Sequence, residues 1–228
     1  MNVTARIIAC RNTGLSFEAD WNEVRAVFAG ADFVPLDQGW QIEPIPGFSP
    51  ARAAALWNRS SLLVYAELED RDIFNEVPAV DFNRMAIGHG DVFEVFVQPE
   101  GQDAYFEMHV SPNNQRFQLR IPFPYAFREL RATVADPMEL VERFKVKEPL
   151  FKSRVLVQPE NGKWEVLMAI ALDRLCEVRP VEVGACWKFS FSRYDYTRPE
   201  PKPTLSSTSP HQEVNFHRIE EWGELRFV

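Results

Sequence analysis

Residues 91–121 read DVFEVFVQPEGQDAYFEMHVSPNNQRFQLRI, and through most of that stretch the apolar positions recur at every second residue. In Tyr105–Val110, Phe106, Met108 and Val110 alternate with Tyr105, Glu107 and His109. In Arg116–Ile121, Phe117, Leu119 and Ile121 alternate with Arg116, Gln118 and Arg120. Successive side chains of a strand point to opposite faces, so a period of two marks strands with one apolar face. Asp91–Gln98 is apolar on both faces apart from Glu94, as in a more central strand. Pro99-Glu100-Gly101-Gln102-Asp103 has the turn chemistry of a hairpin loop between the first two strands.

The same reading extends outward. Leu62–Leu68 is apolar on both faces except for Glu67. Lys163–Ile170 puts Trp164, Val166, Met168 and Ile170 on one side, and Ala185–Tyr194 sets Trp187, Phe189 and Phe191 against Lys188, Ser190 and Ser192. Pro159–Gly162 reads as a second hairpin turn. Short helices are expected at Pro50–Leu56 and at Met138–Phe144, the latter opened by Asp136 as N-cap. Pro122–Lys152 shows no strand pattern and is expected to loop out from the sheet edge. Arg198–Pro210 reads as a proline-rich loop before a terminal strand at Glu224–Val228. The 17 prolines and 18 phenylalanines against 10 glycines suit many short strands with long connections. The expected architecture is therefore a single all-β domain over residues 1–228, a two-sheet antiparallel β-sandwich of immunoglobulin-like or jelly-roll-like type, with long loops and short helices. Phe106, Met108, Phe117, Leu119, Trp164, Val166, Phe189 and Phe191 are expected to face its interior.

The chain has 33 acidic and 25 basic residues, a formal charge of −8, which disfavours phosphate backbones and anionic membranes as partners. No apolar run reaches the ~18 residues of a membrane helix. The N-terminus lacks a secretory pattern, so the expected location is cytoplasmic, or secreted or periplasmic if a leader has been trimmed. Cys10, Cys176 and Cys186 are too few for a disulfide framework.

No GxSxG, HExxH, P-loop or GxGxxG motif is present, so no catalytic residue is assigned. Glu107 and His109 share a strand face and read either as an acid–base or metal pair or as part of a half-solvated polar face. Alternation produces such pairs freely and favours the second reading. Met108 beside His109 would suit haem ligation, but its parity with Phe106 and Val110 places it in the core. Glu67-Leu68-Glu69-Asp70-Arg71-Asp72 closes a strand with four carboxylates, either as a calcium site or as a solvated loop countered by Arg71.

Five stretches, in this order, resemble the family 9 carbohydrate-binding modules and their DOMON-like relatives. They are Ala55–Ile73 (ALWNRSSLLVYAELEDRDI), Gly90–Pro99 (GDVFEVFVQP), Tyr105–Pro112 (YFEMHVSP), Trp187–Asp195 (WKFSFSRYD) and Phe216–Phe227 (FHRIEEWGELRF). The resemblance implies a non-catalytic β-sandwich that binds mono- or oligosaccharide, often at bacterial polysaccharide chain ends, and that often holds structural calcium. It places the carbohydrate-binding residues at Asp72, Glu94, Arg116 and Arg193, and candidate calcium ligands at Glu69, Asp70 and Asp72. Carboxylates accept from vicinal hydroxyls while a guanidinium donates in a fork. Each also has a structural alternative: Glu94 as a buried ion pair with Arg116 or Arg193, and Asp72 as a loop cap. The family's two sugar-clamping tryptophans fall where this chain reads Met85–Gly90 and Ser206–Pro210, without tryptophan. Phe82, His89, Tyr194 and Tyr196 are the neighbouring rings that would take their place. Two other functions stay open: a scaffold that has lost its ligand, and a haem-binding electron-transfer domain of the kind found among DOMON-like relatives.

Overall fold

The computed structural model describes residues 6–228. Its strands are β1 (Ile7–Asn12), β2 (Val34–Pro35), β3 (Ala51–Trp57), β4 (Ser61–Glu69), β5 (Val92–Gln98), β6 (Tyr105–Val110), β7 (Arg116–Ile121), β8 (Phe151–Gln158), β9 (Lys163–Ala171), β10 (Cys186–Asp195), β11 (Thr204–Ser207) and β12 (Gly223–Phe227). They form one hydrogen-bonded sheet in the order β7-β6-β5-β10-β12-β1-β3-β4-β9-β8, with β11 on β10 and β2 on β3. The all-β expectation holds at this level, but the ladder is not divided into two antiparallel sheets. Strand β1 runs parallel to β12 through Ile7–Cys10 and parallel to β3 through Arg11 and Asn12, and so joins the two halves.

The halves share one core. Phe93, Val95, Val97, Phe106, Met108, Phe189 and Phe191 from one side pack with Val64, Leu68, Trp164, Val166 and Met168 from the other, all buried. Each non-core face is covered in turn. Helix α1 (Trp21–Phe28) lies on the β4–β9 side and buries Val24 and Phe28, one turn apart; Asp20 caps it, accepting from the amides of Asn22 and Glu23 at 2.8 and 3.0 Å. On the β5–β7 side, residues 122–150 cross back over the sheet instead of looping out from its edge. They carry helices α2 (Ala126–Glu129) and α3 (Met138–Phe144) and bury Ala126, Leu140, Val141 and Phe144. Asp136 does open α3, accepting from the Met138 amide at 2.9 Å. Phe216, Ile219 and Trp222 complete this second layer.

That layer explains the misplaced residues. Phe117, Leu119 and Ile121 pair with His109, Glu107 and Tyr105, so they are buried beneath the cover and not in the shared core. Pro50–Leu56 is not helical: Ala51–Trp57 pairs along its length with β4 and is buried nearly throughout, so long-range pairing overrides alanine's helix preference. Arg198–Pro210 is not all loop, since β11 pairs there with β10.

Candidate functional site

Two clusters of buried charge flank strands β5 and β10, one on each face. On the covered face, Glu94 of β5 lies directly opposite His109 of β6, and the two-residue repeat puts Glu107 on the same side. His109 Nε2 lies 2.6 Å from Glu107 Oε1 and 3.1 Å from Glu94 Oε1, with all three residues buried. Beyond them, His217 Nε2 is 3.7 Å from Glu107 Oε2, and His217 Nδ1 is 2.8 Å from the Tyr105 hydroxyl. The half-solvated face expected for Glu107 and His109 is therefore replaced by a buried carboxylate–imidazole cluster.

Burial, with the Glu107 charge in support, pushes the Glu94 carboxyl up to about 8 against the opposing pull of His109. Burial acts on Glu107 in the same direction, but its hydrogen bond to His109 wins and holds it below the usual carboxylate range. Burial alone would lower His109; the charges of Glu94 and Glu107 outweigh it and raise the ring. Two neighbouring carboxyls are thus pushed apart, as happens at functional sites.

The cluster lies beneath a cavity of about 330 Å³. Glu94 and Glu107 line its polar side, while Phe96, Phe127, Tyr194 and Phe216 contribute aromatic walls. It adjoins a second hollow of about 460 Å³, with which it shares Phe127, Asn215 and His217. Met85 and Ile87, in the stretch aligned with one missing tryptophan, also line the cavity. Of the four rings expected to stand in for the clamp, Tyr194 reaches the lining; Phe82 instead lies under the Arg116 guanidinium, 5.5 Å from it.

The other expected residues are dispersed. Arg116 pairs in register with Val110, on the face opposite Glu94, and its guanidinium donates to the Phe151 carbonyl at 3.4 Å. Glu94 is therefore paired with neither arginine expected for it. Asp72 accepts from Arg198 Nε at 2.8 Å and from the Arg198 amide at 2.9 Å, and these bonds hold its carboxyl below its ordinary value. Arg193 is fully buried on the core face. Its Nη2 lies 2.9 Å from Asp70 Oδ2 and 3.3 Å from Asp195 Oδ1, so it closes the second charge cluster instead of meeting a ligand.

The calcium set does not converge either. Glu69 is exposed, Asp70 is bonded to Arg193 and to Trp164 Nε1, and Asp72 is held by Arg198. The buried acids that do meet are Asp70, Asp91 and Asp195. There the Arg193 guanidinium takes the cationic place, and both Asp91 oxygens accept backbone amides, from Phe74 and Tyr196 at 2.8 Å each. Calcium's six to eight oxygen ligands do not fit this arrangement. Thermal melts in excess calcium and in chelator are expected to give the same midpoint; a calcium-dependent rise of 5 °C, about 2 kcal/mol on the scaling for this size, would restore the calcium reading. Met108 is enclosed in the shared core, away from any cavity lining, which leaves the haem reading without its methionine.

Sequence reasoning missed His217, Phe216 and Phe127, which reach the site from covering segments with no strand or helix period. The available signal was narrower: Glu107 and His109 two apart on one strand, with Glu94 at the matching position of the next.

No family model matches the chain, and no curated protein matches it. Solved structures do. A protein proposed to bind carbohydrate, from Bacteroides uniformis, superposes with a TM-score of 0.69 at 16% identity, over 99% of this chain and 100% of that one. A family 9 carbohydrate-binding module from Caldicellulosiruptor kristjanssonii in complex with cellotriose gives 0.64 at 12% identity, over 97% and 93%. A family 9 module from the same organism in complex with glucose gives 0.58 at 14% identity, over 99% and 96%. The chain resembles the family 9 modules, and at these identities the likeness is one of fold.

Proposed function

We propose that this chain is a non-catalytic carbohydrate-binding module whose ligand enters the cavity above Glu94 and Glu107. One observation carries the reading: an open, aromatic-walled cavity ends on two buried carboxylates, and Oε2 of each has no hydrogen-bond partner. Sugar hydroxyls are donors that such oxygens lack, and the C–H faces of a pyranose ring match the walls of Phe96, Phe127 and Phe216. The bound cellotriose and glucose of the structural neighbours support the ligand class. Asp72, Arg116 and Arg193 are left out of the site because each already has an intramolecular role.

Isothermal titration against a panel of neutral mono- and oligosaccharides tests this. Binding at millimolar concentration or tighter is expected for at least one sugar. Glu94→Ala should weaken it about 3–10-fold, the worth of an uncharged hydrogen bond. A panel without binding, or binding untouched by Glu94→Ala, would favour a scaffold without a sugar site here.

A further inference from the structure

The acceptors at the cavity floor outnumber the donors. Glu94 and Glu107 bring four carboxylate oxygens, and Oε2 of each is buried without a partner. Against them stand His109 Nε2, crowded by two carboxylate oxygens at 2.6 and 3.1 Å, and His217 Nε2, which at 3.7 Å from Glu107 Oε2 is too far for a hydrogen bond. A second proton on His109 would sit at Nδ1, which is also buried without a partner. No lysine or arginine lines the cavity among the described residues. Burying carboxyl oxygens without partners is costly, and an ion ligated by this group would offset that cost.

We propose that Glu94, Glu107 and His109 bind a divalent first-row transition-metal ion, best matched by Zn²⁺, at the floor of the cavity. One carboxylate oxygen each of Glu94 and Glu107 and one ring nitrogen of His109 all lie within 4.8 Å of one another. Ligand atoms around tetrahedral zinc, each ~2.0–2.2 Å from the ion, stand about 3.3 Å apart, so the ion replaces the Nε2 proton with small shifts. The donor set is one imidazole and two carboxylates, which suits zinc; calcium takes oxygen ligands in greater number. Glu94 and Glu107 line the cavity, so water or a ligand group there would complete the coordination. His217 stands next to it, its ring oriented by the Tyr105 hydroxyl 2.8 Å from Nδ1.

The test needs no sugar. Chelator-stripped protein is titrated with ZnCl₂ in competition with a chromophoric chelator, and its metal content is measured by mass spectrometry. One equivalent per chain is expected, unaffected by excess CaCl₂. Removing a direct ligand should weaken zinc at least about 100-fold, more than losses from outer-shell partners, in Glu107→Gln and in Glu94→Gln. Both substitutions preserve shape, so circular dichroism separates lost ligation from lost folding. Absence of a stoichiometric site, zinc binding unchanged in both variants, or displacement by calcium overturns the assignment. Running the sugar panel on stripped and loaded protein separates the two readings: sugar binding without zinc leaves the module function standing alone, and zinc binding without sugar leaves the metal site standing alone.

Discussion

Replacing Arg193 with methionine is expected to cost about 3–5 kcal/mol, lowering the melting midpoint by roughly 6–20 °C in a chain of this size. The guanidinium is fully buried, 2.9 Å from Asp70 Oδ2 and 3.3 Å from Asp195 Oδ1, and Nη1 donates to the Ser49 carbonyl at 3.4 Å. Asp91 is the third carboxylate of the group. Methionine fills much of the same space, so the loss is electrostatic: Asp70 and Asp195 are left without the guanidinium that pairs with them. Thermal melts of Arg193→Met, Asp70→Leu and the double variant form a cycle. Because an intact pair is much less valuable than a broken one is harmful, the double variant should be more stable than Arg193→Met alone. A single-variant loss under about 1 kcal/mol, within the usual range for surface changes, would mean that the pair is not structural.

How much of this was legible in the sequence follows from which forces set each element. Strands β6, β9 and β10 were readable because one face of each meets the shared core, and burial imposes a period of two, while β5 was read from an unbroken apolar run as a central strand. Strand β3 was not, because Ala53–Ala55 is buried on both sides and carries no alternation. Strand β7 was readable as a strand, but its apolar face was assigned to the wrong layer. Parity cannot distinguish a core from a covered outer face, and the cover over Phe117 and Leu119 comes from residues 122–150 and 213–222, which have no period of their own. The same cover turns Glu107 and His109 from a solvated pair into a buried cluster. Glu94, an acid that stands out in a doubly apolar strand, lines the cavity. Arg193 stood out equally, yet serves the opposite face, since in β10 it shares parity with Phe189 and Phe191.

The two charge clusters therefore have different chemistry although each gathers carboxylates beside β5. At Asp70, Asp91 and Asp195 the chain contributes its own permanent cation, and Arg193 leaves no open side for a ligand. At Glu94 and Glu107 it contributes two titratable rings, His109 and His217, and a cavity. Gly90 helps build the first: at φ +132° it passes 2.4 Å, measured from where a Cβ would stand, from the Phe74 carbonyl oxygen, a contact that other residues cannot make. This close approach brings the Phe74 amide to Asp91 Oδ2 at 2.8 Å.

Stability is expected to fall as pH rises from 5 to 8, chiefly through Asp91. Burial first, and then the neighbouring Asp70, push its carboxyl up to about 8 from an ordinary 3.8, against the pull of its two backbone amides and Arg193. Asp195 faces the same space, and burial raises it as well. Between the unfolded and folded values the native chain holds a proton that the unfolded chain has released. Raising the pH therefore favours unfolding across that interval. Over pH 5–8 the single group accounts for about 3–4 kcal/mol, or roughly 6–16 °C in midpoint. Glu94 and His109, both raised, act in the same direction, whereas Glu107 and Asp72, held low, contribute stability that is lost only as the pH falls below that window. Melting curves of the native chain and of Asp91→Asn at pH 5, 6.5 and 8 isolate the Asp91 share. Asparagine imitates the protonated acid at every pH and loses one of the two amide bonds to the same extent throughout. The variant should thus start below the native chain at pH 5 and show a distinctly shallower decline, with the remaining slope belonging to Asp195, Glu94 and His109, less the opposing share of His211 and His217, whose rings burial lowers. Parallel declines in the two proteins would mean that Asp91 stays ionised in the fold, its charge fully carried by Arg193 and the two amides.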